Sequence, residues 1–204
     1  MARKKNKKDK RANSGIIKEY KESWIYIKES KDFIYSSMLI FAIFAVIGIF
    51  LPIPEVISKQ ILDILEKLIN ETTGLSAFGL VIFIFKNNLI ASFLGMVSGI
   101  FLSIYPFLAA LFNGYLVGFV ASLTVKAGEI SSLWRLLPHG IFELPAIFIS
   151  LGFGLKLGSF IFQDNKILFI RKNFSESLRV FILVVIPLLI IAAIIEGMLM
   201  YFFR

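Results

Sequence analysis

Residues 136–162 read LLPHGIFELPAIFISLGFGLKLGSFIF. At 1.5 Å of rise per residue this run reaches about 40 Å as a helix, more than the roughly 30 Å hydrocarbon core of a bilayer. Three of its four glycines, Gly152, Gly154 and Gly158, fall late in the run, out of place in a soluble helix and common where helices pack closely in lipid. The stretch therefore predicts a membrane span. Two prolines and the chain's one histidine open it, with Glu143 a turn after His139. Whatever those polar groups do, they do it at the mouth of a transmembrane helix.

The same reading extends outward along a chain of 204 residues that is 57% hydrophobic. Phe33 to Leu51 is a first span, stopped by Pro52 and Pro54, which cannot continue a helix. Leu75 to Ser103 reads as a second span broken near Lys86, Asn87 and Asn88; the alternative makes 75–85 an interfacial helix and starts the span at Asn87. A third runs over about 107–125, the fourth over 136–162, and a last one over 178–203. Residues 15–32 place Ile16, Ile17, Tyr20, Trp24 and Ile27 at helical spacing and predict an interfacial helix. Residues 55–71 predict a second amphipathic helix, too polar to span. The expected fold is all-α: a polytopic membrane helical bundle of about five transmembrane helices, occupying residues 33–204. A re-entrant hairpin around Pro138 would change the count.

Charge orders the spans. The net charge of +8 sits mostly in MARKKNKKDKR, where seven basic residues face one Asp. Residues 1–14 are expected to be a disordered basic tail that anchors topology and touches anionic lipid; a basic run without interleaved aromatics predicts no nucleic-acid partner. Residues 52–74 carry two Lys against four acids, whereas 163–179 carry Lys166, Arg171, Lys172 and Arg179 against Asp164 and Glu176. Five spans with the N-terminus cytoplasmic place both basic segments inside and the C-terminus outside. About thirty polar residues precede the first apolar run, so that span is expected to be retained rather than cleaved as a signal. The absence of cysteine excludes disulfides and thiolate metal sites.

In this topology His139, Glu143 and Glu196 share the outer leaflet, Glu143 about 8 Å below Pro138. One reading is a proton relay or cation site, joined by Lys86, Asn87 and Asn88. The other is structural: Pro138 suits a first helical turn, Pro145 cannot donate to the Ile141 carbonyl, and polar neighbours repair the backbone. His139 and Glu143 are weak metal candidates, since a hydrolytic zinc site needs three protein ligands and H-x-x-x-E offers two. There is no H-E-x-x-H and no phosphate-binding G-x-x-x-x-G-K-[ST]. No catalytic residue, cofactor or enzymatic activity is expected. Gly114 and Gly118 form a G-x-x-x-G pair, read as a close-packing face; with Gly154 and Gly158 it suggests a homo-oligomer.

FKNNLIASFLGMVSGI, LFNGYLVGF and LLPHGIFELPAIFISLGFGLKLG together resemble the stage II sporulation protein M family over about Phe85 to Gly158, most specifically in Pro-His-Gly-x-x-Glu. The resemblance implies a multispanning membrane scaffold, which in spore formers works beside peptidoglycan hydrolases in engulfment. Relatives occur in organisms that form no spores, archaea included, so the process does not transfer with the name. The positions that match are Asn87 or Asn88, Asn113, Gly114, Pro138, His139, Gly140, Glu143 and Pro145, and no catalytic role is attached to them. The leading expectation is a non-catalytic protein that organises membrane or surface protein partners. The alternatives are a small transporter or channel with a polar path past Asn87, Glu143 and Glu196, and an intramembrane hydrolase that needs His139.

Overall fold

The structure, a computed structural model, describes residues 2–51, 55–128 and 139–202, without the side chains of 2–14, 56, 139 and 140. The elements are α1 (Ala2–Glu29), α2 (Lys31–Phe50), α3 (Glu55–Thr72), α4 (Ala77–Val97), α5 (Ile104–Lys126), α6 (Leu144–Gly158), α7 (Lys166–Val180) and α8 (Ile186–Phe202). Single 3₁₀ turns follow α4 (Ser98–Ile100) and α6 (Ser159–Phe162), and π-helical turns precede α6 (His139–Glu143) and α8 (Phe181–Val185). The described residues contain no strand. Among the described residues, five helical stretches are long and apolar enough to cross a membrane: Lys31–Phe50, Ala77–Ile100, Ile104–Lys126, Ile141–Phe162 and Lys166–Phe202. The protein is an all-α polytopic membrane bundle.

The fourth span is its centre, with 50% of its apolar window buried against 22–33% in the others. α2 runs antiparallel to α6: the Ser37 hydroxyl donates to the Phe148 carbonyl at 3.1 Å, and a Cβ on Gly152 would collide with Ile34. α4 runs parallel to α6, with Gly95 and Gly99 against the Gly154 backbone. α8 closes the bundle antiparallel to α4, where Gly197 meets Val81 and Phe93 meets the Phe181 ring edge-on, centroids 5.5 Å apart.

Without water to drive apolar surfaces together, membrane helices associate where small residues let their backbones touch. The Gly114/Gly118 pair does this inside the chain: a Cβ on Gly114 would overlap the Phe41 carbonyl of α2, and one on Gly118 the Ala45 carbonyl. Gly48 returns the contact, facing Tyr115 and Phe119 of α5. Gly154 and Gly158 are likewise filled by Gly95, Gly99, Ser103 and Pro106. The small-residue faces that suggested an oligomer are thus occupied by the chain's own helices.

Three expectations are corrected. α4 is continuous through Lys86, Asn87 and Asn88. Lys86 and Asn87 are exposed on the bundle's outer face, where polar side chains need no break in the helix. The chain bends instead at Ser98–Ser103, where Leu102 and Ser103 adopt left-handed φ values of 55° and 60° and the Ser103 hydroxyl donates to the Leu155 carbonyl at 3.1 Å. Second, helical backbone begins at Ala2 rather than near Gly15, so the basic tail is the first part of α1; lysine and arginine are good helix formers and no proline interrupts them. Third, α7, the Phe181–Val185 turn and α8 form one rod of 37 residues. Its length of about 55 Å exceeds the bilayer core, so the amphipathic α7 part lies beyond the membrane.

α1 and α7 pack together at the end of the bundle where α2 begins and α6 ends, so the basic residues of 163–179 and the N-terminal helix share a face. α3 lies at the opposite end, its apolar Ile57, Leu62, Ile64 and Ile69 exposed.

The α2–α5 contact predicts that Gly118→Leu costs about 3 kcal/mol, at the upper end of overpacking effects because backbone has to move. Gly15→Leu, where a side chain meets open space inside α1, should not destabilise and should gain about 0.5–1 kcal/mol of helix propensity. Denaturant unfolding of both variants in detergent micelles measures the difference.

Candidate functional site

The sequence-selected polar residues do not converge. Glu143, at the end of the π-helical turn, is 2% exposed and held within the fold. The turn packs against α8, which carries the half-buried Glu196, also engaged within the fold. The Ser37–Phe148 bond sets the depth of Glu143. Ser37 lies about 9 Å above Lys31, and Glu143 about 7 Å further along α6, which places it ~16 Å from the level of Lys31. Through the Gly197–Val81 contact, Glu196 lies about one helical turn nearer the end of the bundle where α2 stops and α4 begins.

Lys86 and Asn87 face away from this pair, and Asn88 is half-buried. Asn113 is exposed and donates to the Ala109 carbonyl of its own helix at 2.7 Å, so its amide is turned onto backbone. Gly114 is a packing residue. Pro145 is the second residue of α6, where its missing N–H falls beside the π-helical turn. His139 and Gly140 belong to that turn by backbone, while Pro138 lies outside the described residues, as does any hairpin around it. Among the described residues no three His, Asp or Glu side chains gather as metal ligands.

A second polar cluster, which sequence reasoning did not find, lies at the end where α1 and α7 meet. The Tyr26 hydroxyl is 3.2 Å from both the carbonyl and Oδ1 of Asn173 and 3.1 Å from Ser177 Oγ. With one proton to give, it donates to Asn173 and accepts from Ser177. The Asn173 amide nitrogen donates to the Phe169 carbonyl at 2.9 Å, which turns Oδ1 toward Tyr26. Lys156 lays its ammonium 4.0 Å from the Tyr26 ring centroid and donates to Ser30 Oγ at 2.9 Å. Just beyond, Arg179 bridges Glu19 at 2.7 Å, Glu22 at 3.0 Å and Glu176 at 2.7 Å. Burial pushes the Tyr26 hydroxyl up to about 12, Glu176 and Glu29 adding to the effect while Ser177 opposes it.

Serine beside lysine is a pairing that nucleophilic catalysis uses. Here Ser30 is fully buried and its hydroxyl donates to the Tyr26 carbonyl at 2.8 Å, so no substrate reaches it and its proton is committed to backbone. The cluster instead fastens α1 and α7 to the end of α6. No local signal could have revealed it, since Tyr26 and its α7 partners are 147 and 151 residues apart.

The family profile of stage II sporulation protein M matches residues 37–199, and the chain belongs to that family. An uncharacterized protein of Methanocaldococcus jannaschii is 30% identical over 174 residues, covering 81% of this chain and 76% of the relative. No solved structure matches the chain.

The raised Tyr26 value fixes a sign for alkaline stability. The folded state holds this proton more tightly than the unfolded chain, so the contribution is complete below pH 10 and is lost as pH rises toward 12. Tyr26→Phe should cost about 1 kcal/mol at neutral pH and flatten the loss between pH 10 and 12, read from unfolding midpoints across that range.

Proposed function

We propose that this member of the stage II sporulation protein M family is a non-catalytic membrane scaffold that organises a complex of partner proteins in the cell membrane. What carries the reading is the separation of its polar residues: Glu143 is enclosed in the bundle while Lys86 and Asn87 stand on its outer surface. A transport path would bring them to one cavity. The apolar groove between α4 and α8, lined by Val81, Phe85, Ile190 and Ala193 among others, contains none of them. The polar cluster of Tyr26, Ser30, Lys156, Asn173 and Ser177 supports the same reading, because its hydrogen bonds are spent on joining helices.

The proposed orientation puts α1 and α7 in the cytoplasm, by the excess of Lys and Arg in those segments, and α3 with the end of α8 on the outer side. α3 then offers an acidic amphipathic surface outside the membrane, and α1 with its basic first turns a surface inside. Partner proteins have contact area on both sides, as a scaffold needs.

Proteoliposomes holding the wild type should show proton and cation fluxes equal to protein-free vesicles. Glu143→Gln should also show none, and lose about 1–3 kcal/mol of stability, the usual cost of disturbing an engaged buried polar group. A flux that disappears in Glu143→Gln while the fold is unchanged would replace the scaffold with a transporter. Partners recovered by cross-linking in native membranes would identify what it organises.

A further inference from the structure

α4 turns one stripe away from the bundle: Phe78, Ile82, Lys86, Ile90 and Leu94 are all exposed, and Asn87 stands beside Lys86. The stripe is apolar except at its centre. Gly95 meets Gly154 close to the level of Lys31, and Lys86 lies nine residues further along α4, about 15 Å into a core of roughly 30 Å. Lysines near span ends snorkel, but a stem reaching roughly 6 Å cannot bring an ammonium from the mid-plane to a lipid phosphate. Surrounded by acyl chains, Lys86 would be a cation without a counter-charge.

No carboxylate among the described residues supplies that counter-charge. Among the described residues of the spans, the carboxyls away from the α1–α7 end are Glu143 and Glu196, and both are engaged inside the fold. A second copy brings the same two, equally enclosed, and adds another Lys86 to repel the first.

We propose that the Lys86–Asn87 face of α4 is the docking site for a transmembrane helix of a different protein that carries an Asp or Glu near the middle of its span. The carboxylate pairs with the Lys86 ammonium. The Asn87 amide, which can both donate and accept, bonds to the same carboxylate or to a polar neighbour. Phe78, Ile82, Ile90 and Leu94 provide apolar packing above and below, so charge sets the register and apolar contact the area. The proposal deepens the scaffold reading and rests on it for the existence of a partner.

The test uses the full chain in proteoliposomes with synthetic transmembrane peptides of about 23 Leu and Ala residues bearing a central Asp, Asn or Leu. Energy transfer is read between a dye on the peptide and a dye on Thr73→Cys, exposed in the turn before α4 and off the docking face, the one thiol in a chain without cysteine. The Asp peptide should associate at least tenfold more tightly than the Leu peptide, with the Asn peptide between. Lys86→Met should erase the preference while leaving the unfolding midpoint in place, since the side chain is exposed, and Asn87→Ala should weaken it severalfold. Equal association of Asp and Leu peptides, or a preference that survives Lys86→Met, overturns the proposal. So does labelling of Asn87→Cys by a membrane-impermeant thiol reagent, which would mean that the face is wet. Energy transfer between copies that Lys86→Met removes would assign the face to a homo-oligomer instead. Partners that still cross-link to Lys86→Met in native membranes would end this inference and leave the scaffold reading standing.

Discussion

The architecture depends on how closely other backbones approach α6. In lipid, burying apolar side chains against other apolar side chains gains little, and contact between main chains has to supply the association. α6 meets that demand on two sides, at Gly152 against α2 and at Gly154 and Gly158 against the end of α4 and the start of α5. The second contact explains the strained turn between α4 and α5. Two consecutive residues with side chains accept left-handed φ values because the gap beside Gly158 admits Ser103 and gives its hydroxyl the Leu155 carbonyl as acceptor.

A second constraint comes from proline inside helices. Pro145 and Pro187 each remove one donor, and each is preceded by a π-helical turn, His139–Glu143 and Phe181–Val185. A wider turn accommodates the ring and the carbonyl it would otherwise strike. The two distortions are reciprocal in space: the first turn packs on α8, and the second on α6. One of them carries the buried Glu143, which is where a carboxyl can hold a helix that has lost part of its own bonding.

The existence of the five apolar helices was legible because each is a run of residues that water would reject, a property local in sequence. The path of the second span was not, because Lys86, Asn87 and Asn88 look like a break whenever polarity is taken to mean the end of a helix. In a membrane, polarity says only what a side chain faces, and an outward face interrupts nothing. The small-residue pairs were legible as packing faces, but their partners were not: G-x-x-x-G serves equally between subunits and within one chain, and only the fold assigns Gly114 and Gly118 to α2. Least legible was the cluster around Tyr26 and Lys156, whose members come from the first, sixth and seventh helices and carry no shared motif.

These placements sort the polar residues of the spans by cost. Glu143 is engaged within the fold, and the buried Ser37 and Ser150 donate to backbone carbonyls. Lys156 stands near the end of its span, where a tyrosine face and a serine hydroxyl receive it. A charged side chain at the centre of a transmembrane helix costs roughly 2.5–3.5 kcal/mol on insertion scales, and the fold offsets this for each of these groups with contacts of its own. Lys86 is the exception: it stands at the costliest depth on the face the fold leaves open. Leucine there would insert into the membrane at lower cost and leave the folded bundle's contacts unchanged, so the reason for lysine has to be sought in what covers α4.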